Sequence, residues 1–318
     1  MKYLRIKVFS CGSNETLAAA VCERLSLDPG KITMSSFADG ESYCRIDESV
    51  RGCDTFIIQP ICAPVNENLM KLLIATDALR RASAGSITAV VPYLGYSRQE
   101  KKRTGREPIT AKLVANLLTT AGLDRIVTLE MHAPSLQGFY DIPVDHISSA
   151  RLFAKKLEER DLSNSIIVSP DTGGVTRARH LGRLLDLPMA IIDKRRPEPN
   201  DAVVMNIVGD VADKDIIIVD DIIDTAGTLK SAVISLKEKG AKRVTVCGTH
   251  PVFSGPAMNN IINSEIDEIF VTNSIPVSEE MKKNCNIEIL SIAGLLGQTI
   301  KSIFEKRSVS ELLEDIQL

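Results

Sequence analysis

The chain has 318 residues, more than one ordinary core accommodates and well suited to two domains of about 150 residues each. Hydrophobic residues make up 44% and charged residues 25%, a globular balance that excludes a disordered or fibrous chain. Lys and Arg number 38 against 41 Asp and Glu, so no overall positive charge supports nucleic-acid binding, and no such partner is expected. The start MKYLRIKVFSCGS alternates like a strand and lacks the apolar stretch of an export signal, and no run of eighteen apolar residues occurs. The seven cysteines include no C-x-x-C pair. A cytoplasmic protein is expected, with neither a membrane span nor a disulfide framework.

In chain order, apolar β-branched runs at 6–9, 55–59, 87–94, 125–131, 165–170, 189–193, 216–220, 243–248 and 268–273 read as buried strands. Amphipathic segments at 66–84, 109–122, 149–161 and 227–241 have helical spacing, several with Gly near an end. Their alternation predicts an α/β fold with largely parallel sheets. An internal repeat divides the chain. LRRASAGSITAVVPYLGYS (79–97) lines up with LKEKGAKRVTVCGTHPVFS (236–254), FIIQPICAPVNENL (56–69) with IIIVDDIIDTAGTL (216–229), and LDRIVTLE (123–130) with IDEIFVTN (266–273). Three matches in one order indicate two tandem copies of one domain, 1–148 and 149–318, with the last helix able to pack back on the first copy. In this alignment Asp220 and Asp221 are matched by Pro60 and Ile61, so an acidic loop survives in the second copy only.

The segment IIIVDDIIDTAGTLKSA (216–232) is the most informative: an apolar strand, two adjacent carboxylates, then Asp-Thr-Ala-Gly-Thr opening a helix. A turn of small residues at a helix N-terminus presents free N–H groups and the positive end of the helix dipole, which suits a phosphate. Asp224, Thr225, Ala226, Gly227 and Thr228 form that turn, while Asp220 and Asp221 stand at the carboxyl end of the strand as acceptors for sugar hydroxyls. Phosphate plus diol describes a ribose phosphate. Simple capping by Asp224 and Thr225 is the alternative, and it leaves the two further acids unexplained.

Other motifs have two readings each. SPDTGG (169–174) is either a plain strand-to-helix turn or a close backbone approach to an anion, with Asp171 free to take a metal or a hydroxyl. His132, a lone histidine at a strand end, is by itself more often structural. RQEKKRTGR (98–106) holds five basic residues in nine and reads as a solvated loop. KRRPEPN (194–200) has the composition of an exposed loop, and its cations Lys194 and Arg196 suit closure over a polyphosphate. Phe37 fits a core as well as a base-stacking surface.

Val219–Thr228 strongly resembles the phosphoribosyl-binding loop of the type I phosphoribosyltransferase fold. FADGESYCRIDESVRG (37–52), YSRQEKKRTGREPITAK (96–112), LEMHAPSLQGFYDIPVD (129–145), VSPDTGGVTRARH (168–180) and IIDKRRPEPN (191–200), in order and spacing, resemble the ribose-phosphate pyrophosphokinase family over essentially the whole chain. The resemblance implies two tandem, duplicated type I phosphoribosyltransferase-like domains. It implies transfer of the terminal diphosphate of ATP to the 1-hydroxyl of ribose 5-phosphate, with Mg²⁺ as cofactor held in part by His132 and Asp171.

Arg98 and Gln99 would then contact ATP, while Phe37, Asp39 and Glu41 reach its adenine and ribose from a neighbouring subunit, Phe37 stacking on the base and Asp39 and Glu41 accepting hydrogen bonds. Lys194 and Arg196 would stabilise the transferred charge. A hexamer built from dimers is implied, activated by phosphate and inhibited by ADP at Ser49, Arg51, Ser83, Gln137, Ser308 and Ser310. Glu100 and Glu130 stand where the family usually has Asp, which bears on metal geometry, and His146 stands where Asn is common, in the expected regulatory region. Ala226 is small enough to pass as neutral. The competing readings are a salvage phosphoribosyltransferase, which the ATP-side motifs disfavour, and a non-catalytic regulatory paralogue, against which intact Asp220, Asp221, Lys194, Arg196 and His132 argue.

Overall fold

The computed structural model describes residues 6–195 and 204–309, with backbone alone at 194–195 and 204–205. Its contacts divide into two compact units. Unit 1 holds the residues up to Ser148, Ser274–Pro276 and the residues from Ser291, and unit 2 holds Ser149–Asn273 and Val277–Leu290. The C-terminal segment, placed with the second copy by the sequence boundary, therefore belongs to unit 1.

Unit 1 begins with β1 (Ile6–Ser10), α1 (Glu15–Leu25), the antiparallel hairpin β2 (Ile32–Ser36) and β3 (Ser42–Ile46), β4 (Asp54–Ile58) and α2 (Val65–Arg81). It continues with β5 (Ser86–Val91), α3 (Thr110–Ala121), β6 (Arg125–Leu129), a 3₁₀ turn over Pro134–Phe139 and β7 (Val144–Ile147). The strands form a five-stranded parallel sheet, β1-β4-β5-β6-β7. Asn14 caps α1 by accepting the Leu17 N–H at 3.2 Å, and the helix then buries Leu17, Ala18, Val21 and Cys22 along one stripe.

Unit 2 begins with α4 (Ala150–Leu157), β8 (Ser165–Ser169), α5 (Val175–Leu185), β9 (Met189–Arg195), β10 (Val204–Val208) and β11 (Asp215–Ile223). It continues with α6 (Gly227–Glu238), β12 (Arg243–Pro251), α7 (Ala257–Ile262), β13 (Glu268–Thr272), α8 (Glu279–Asn284) and β14 (Ile287–Leu290). Its sheet runs β10-β9-β8-β11-β12-β13-β14, parallel except for the β9–β10 pair. Both faces are covered. Ile166, Val168, Ile216, Ile218, Val244 and Val246 fill one core, while Ile167, Ile217, Val219, Cys247 and Phe270 join Phe153 and Leu181 on the other. That double burial is why these strands read as continuous apolar runs.

The last helix, α9 (Ala293–Phe304), packs on α1 inside unit 1 and buries Leu295, Leu296, Thr299 and Ile300. Gly297 marks the approach: an added Cβ there would lie 3.3 Å from Arg24 Cβ. No helix of the described residues is long and apolar enough to cross a membrane.

The order β8-β11-β12-β13-β14 repeats β1-β4-β5-β6-β7, as the duplication predicts. Hydrogen-bond register corrects the alignment in detail. Asp54 pairs with Ile6 and Ser86, and Asp215 with Ser165 and Arg243, so Asp54 and Asp215 correspond. Counting along both strands, the counterparts of Asp220 and Asp221 are Gln59 and Pro60, not Pro60 and Ile61. The apolar runs alone align one residue out of register, and in a strand such a slip exchanges the two faces.

Candidate active site

In unit 2 the acidic pair sits inside β11 rather than beyond it, because pairing with β12 continues to Ile223 opposite Pro251. Close packing of this extension requires Gly248, where an added Cβ would lie 2.4 Å from Ile223 Cδ1. Asp220 Oδ1 accepts the Asp221 N–H at 2.9 Å. Arg177, in the first turn of α5, reaches both acids, Nη2 to Asp221 Oδ1 at 3.1 Å and Nη1 to Asp220 Oδ1 at 3.6 Å. Burial, with Asp221 and then Asp171 adding negative charge, pushes the Asp220 carboxyl well above the usual carboxylate range, and Arg177 opposes the rise.

The turn after β11 is built as a cradle. Ala226, the N-cap of α6, has φ 57° and ψ 8° and its side chain makes no cap hydrogen bond, so the N-cap residue itself leaves the first-turn N–H groups and their dipole available. Thr225 and Thr228 are exposed beside them. Ala226 is not neutral as the sequence suggested: a Cβ in the left-handed region costs about 1–2 kcal/mol, which Gly would avoid. Two residues missed in the sequence brace the cradle. Ser254 Oγ donates to Asp224 Oδ1, and Asn260 Nδ2 donates to the Thr225 carbonyl at 2.9 Å.

The SPDTGG turn lies at the end of β8 in the same unit. Asp171 is exposed, its Oδ1 accepts the Gly174 N–H at 2.9 Å, and its carbonyl accepts from Ser169 Oγ at 2.7 Å. Gly174 is required by space, since an added Cβ would meet Ser169 Oγ at 2.9 Å. Lys194 pairs through its backbone with Met205 in the β9–β10 ladder. Its side chain, and Arg196 altogether, lie outside the described residues.

In unit 1, Arg98 and Gln99 are exposed and line a cleft of about 480 Å³ with Lys101, Arg103, Glu107 and Pro108. Gln99 is fixed by the Thr110 hydroxyl, 2.5 Å from its Oε1, and by its carbonyl's bond to the Ala111 N–H at 3.2 Å. The Thr104 hydroxyl and the Arg103 and Thr104 N–H groups hold the Glu107 carboxyl below its usual range and tie the loop into a turn. Glu100 pairs with Lys101 at 3.0 Å. Phe37, Asp39 and Glu41 cluster at the tip of the β2–β3 hairpin, where Phe37 is 56% exposed and meets Tyr43 edge-on at 5.8 Å. The core reading of Phe37 is thereby excluded.

His132 is exposed just past β6. Glu130, at φ 39°, is buried and accepts from Ser148 Oγ at 3.2 Å, bracing the strand end from within. His146 on β7 accepts the Met131 N–H through Nε2 at 2.9 Å. Its contact is therefore with the residue preceding His132, a role the sequence reading did not foresee. Arg51 lies in the turn whose Gly52 N–H donates to the Ser83 carbonyl at 2.8 Å, with Ser49 just before it, so these two segments converge. Gln137 and Ser308 are exposed elsewhere in unit 1, and Ser310 lies outside the described residues.

No group of three or more His, Cys, Asp or Glu side chains able to cage a metal occurs among the described residues. Mg²⁺ does not ask for one, because it binds through one or two carboxylates, substrate phosphates and waters. An exposed carboxylate oriented by a backbone N–H, as at Asp171, has that donor chemistry.

Comparison with known proteins shows the family. Residues 6–122 match the model of the N-terminal domain of ribose phosphate pyrophosphokinase, and residues 195–314 match the phosphoribosyl synthetase-associated domain. Ribose-phosphate pyrophosphokinases of Staphylococcus saprophyticus and Staphylococcus aureus are each 53% identical over 312 residues, covering 97% of both chains. The crystal structure of phosphoribosylpyrophosphate synthetase from Mycobacterium smegmatis superposes with a TM-score of 0.90 at 42% identity, covering 95% of this chain and 99% of that one. With both units, their order and nearly the full length accounted for, the chain belongs to the ribose-phosphate pyrophosphokinase family of enzymes.

Proposed function

We propose that the chain transfers the β,γ-diphosphate of ATP to the 1-hydroxyl of ribose 5-phosphate, giving 5-phosphoribosyl 1-pyrophosphate and AMP. The product is the activated ribose that nucleotide, histidine, tryptophan and NAD synthesis consume. The observation that carries this reading is the unit 2 cradle, an uncapped helix N-terminus with exposed Thr225 and Thr228 following an acidic pair. Phosphate acceptance and diol acceptance are then a few residues apart on one strand-turn-helix.

Asp224, Thr225, Ala226, Gly227 and Thr228 hold the 5-phosphate, and the acidic pair at 220–221 serves the ribose hydroxyls. The anomeric hydroxyl attacks the β-phosphorus in line and AMP leaves. Such chemistry is mainly positioning and charge neutralisation, and no general base is assigned. Lys194 and Arg196 supply fixed cations to the charge that moves. Mg²⁺, bound with ATP, neutralises phosphate charge when present. Asp171 and His132 are the residues that would hold it.

Arg98 and Gln99 bind ATP. Phe37, Asp39 and Glu41 supply a stacking face and two acceptors from a second subunit of a homo-oligomer, a hexamer of dimers. The exposure of Phe37 supports that role, since an aromatic ring at a hairpin tip gains nothing for its own core. Phosphate and ADP act as effectors at Ser49, Arg51, Ser83, Gln137, Ser308 and Ser310, a reading supported by the bond between the Gly52 and Ser83 backbones. The test supplies ATP and ribose 5-phosphate and follows nucleotide products. AMP should appear in step with ribose 5-phosphate consumption, and stoichiometric ADP would refute the reading.

A further inference from the structure

Two adjacent carboxylates proposed to serve one sugar raise an electrostatic question, because like charges side by side repel. Arg177 is the counter-charge to both. Its side chain is 11% exposed and lies against Asp221, 8% exposed, at 3.1 Å, and more loosely against Asp220, 28% exposed, at 3.6 Å. The guanidinium reaches this position from the first turn of α5, directly after Gly173-Gly174. An added Cβ at Gly174 would lie in ordinary contact with Arg177 Nη1 at 3.6 Å, so the guanidinium passes close over that turn.

We propose that Arg177 is a positioning residue that divides the acidic pair: it clamps Asp221 and so presents Asp220 as the carboxylate that accepts the ribose hydroxyls. The inference rests on the ribose 5-phosphate reading above and deepens it. Three observations converge. Asp221 is the more buried acid and makes the shorter contact, the arrangement of a charge anchored by its counter-ion. Asp220 is the more exposed, and its longer contact leaves it accepting capacity. Asp220 is also fixed from behind, since its Oδ1 accepts the Asp221 N–H at 2.9 Å. Arg177 thus acts on substrate only through the two acids.

The test uses the full-length protein and five variants: Arg177→Lys, Arg177→Gln, Asp221→Asn, Asp220→Asn and the double Arg177→Gln/Asp221→Asn. Steady-state kinetics separate KM for ribose 5-phosphate, KM for ATP and kcat, and calorimetry follows ribose 5-phosphate binding without turnover. Arg177→Gln should raise the ribose 5-phosphate KM roughly 10- to 100-fold, as expected for loss of a charged hydrogen bond, while the ATP KM moves less than about threefold. Arg177→Lys should recover part of the loss. Asp221→Asn should weaken binding less than Asp220→Asn does. The double variant should be no worse than the worse single, because each change removes the same contact.

An unchanged ribose 5-phosphate KM in Arg177→Gln would overturn the proposal. So would effects of Arg177→Gln and Asp221→Asn that multiply in the double variant, since Asp221 would then act directly. Should Arg177→Gln fail to fold, the double, which removes the cation together with the carboxylate it clamps, carries the test: a ribose 5-phosphate KM equal to that of wild type refutes the proposal. Wild-type protein that forms no AMP from ATP and ribose 5-phosphate would refute the function itself, an outcome distinct from all of these.

Discussion

Gly174→Ala probes the turn between β8 and α5 with a single methyl group. The backbone there, φ −82° and ψ −5°, suits alanine, so conformational entropy alone would stabilise the variant by about 0.4–1 kcal/mol. Space opposes it. The new Cβ would stand 2.9 Å from Ser169 Oγ, where ordinary contact begins at 3.4 Å, and the hydroxyl must move by roughly half an ångström. Ser169 is fully buried and donates to the Asp171 carbonyl at 2.7 Å, so the movement weakens a bond that nearby solvent cannot replace. Overpacking of this kind costs about 1–3 kcal/mol, which leaves a net destabilisation of about 1–2 kcal/mol. For a unit of this size that lowers the melting temperature by roughly 3–6 °C. Asp171 shifts with the turn, so KM for Mg²⁺-ATP should rise in parallel. The assay is urea unfolding and steady-state kinetics of Gly174→Ala, Ser169→Ala and the double variant. Removing the hydroxyl removes the clash, so the double should be no less stable than Ser169→Ala. A Gly174→Ala midpoint equal to wild type, or strict additivity in the double, would refute the reasoning.

Ala226→Gly, which relieves a left-handed alanine, should raise stability by about 0.5–1 kcal/mol in urea unfolding. Asp220 has a folded pKa above its unfolded one, so the folded state holds more protons between the ordinary carboxylate range and the raised value, and stability falls as pH rises through that window. Asp220→Asn should flatten that decline and raise the neutral-pH melting temperature while weakening ribose 5-phosphate binding. Lys194→Ala should lower kcat roughly 10²- to 10³-fold with little change in ribose 5-phosphate affinity, and a loss confined to KM would point to uniform binding instead. Phe37→Ala should leave the unfolding midpoint within about 0.5 kcal/mol of wild type, because the ring is exposed, yet raise KM for ATP several-fold.

The strands buried on both faces were legible because nothing but apolar residues fits there: 216–220 and 243–248 fall inside β11 and β12. The β2–β3 hairpin escaped notice because its residues are at most half-buried, which leaves sequences such as ITMSS without an apolar signal. α5 was legible only as the helix that SPDTGG enters, since VTRARHLGRLL fully buries only Ala178, Leu181 and Gly182 under a cationic surface. At the site, the acidic pair and the cradle were local in sequence and therefore readable. Arg177 gains its meaning only when α5 docks beside β11, and Ser254 and Asn260 lie 30 and 35 residues from the groups they brace. The reading of Ala226 as neutral failed because residue size predicts packing, whereas backbone hand depends on the turn it occupies.

Backbone conformation supplies an independent pointer to the same places. Among the described residues, the non-glycine positions with positive φ are Ser26, Ser83, Asp186 and Lys306, at or just past helix ends, and Tyr96, Arg106, Glu130, Asp213, Ala226 and Phe253. Ser83 belongs to the proposed effector set, Tyr96 and Glu130 each stand two residues before a proposed ligand contact, Ala226 forms the cradle, and Phe253 precedes Ser254, which braces it. Such conformations persist only where the surroundings over-determine them, as the Ser148 bond to Glu130 and the Phe253 N–H bond to the Ile223 carbonyl at 3.0 Å do here. The duplicated copy shows the contrast. In unit 1 the counterpart of Asp220 is Gln59, fully buried and bonded at 3.3 Å to Asn68 and to the Ser13 N–H, and Glu67 occupies the first turn of α2 where a phosphate would meet negative charge. Sealing that position let unit 1 relax, whereas unit 2 keeps like charges together, an uncapped helix and a left-handed alanine. Each of these lowers the stability of the ligand-free site, and on the proposed reading each is relieved or used when a phosphate and a diol bind.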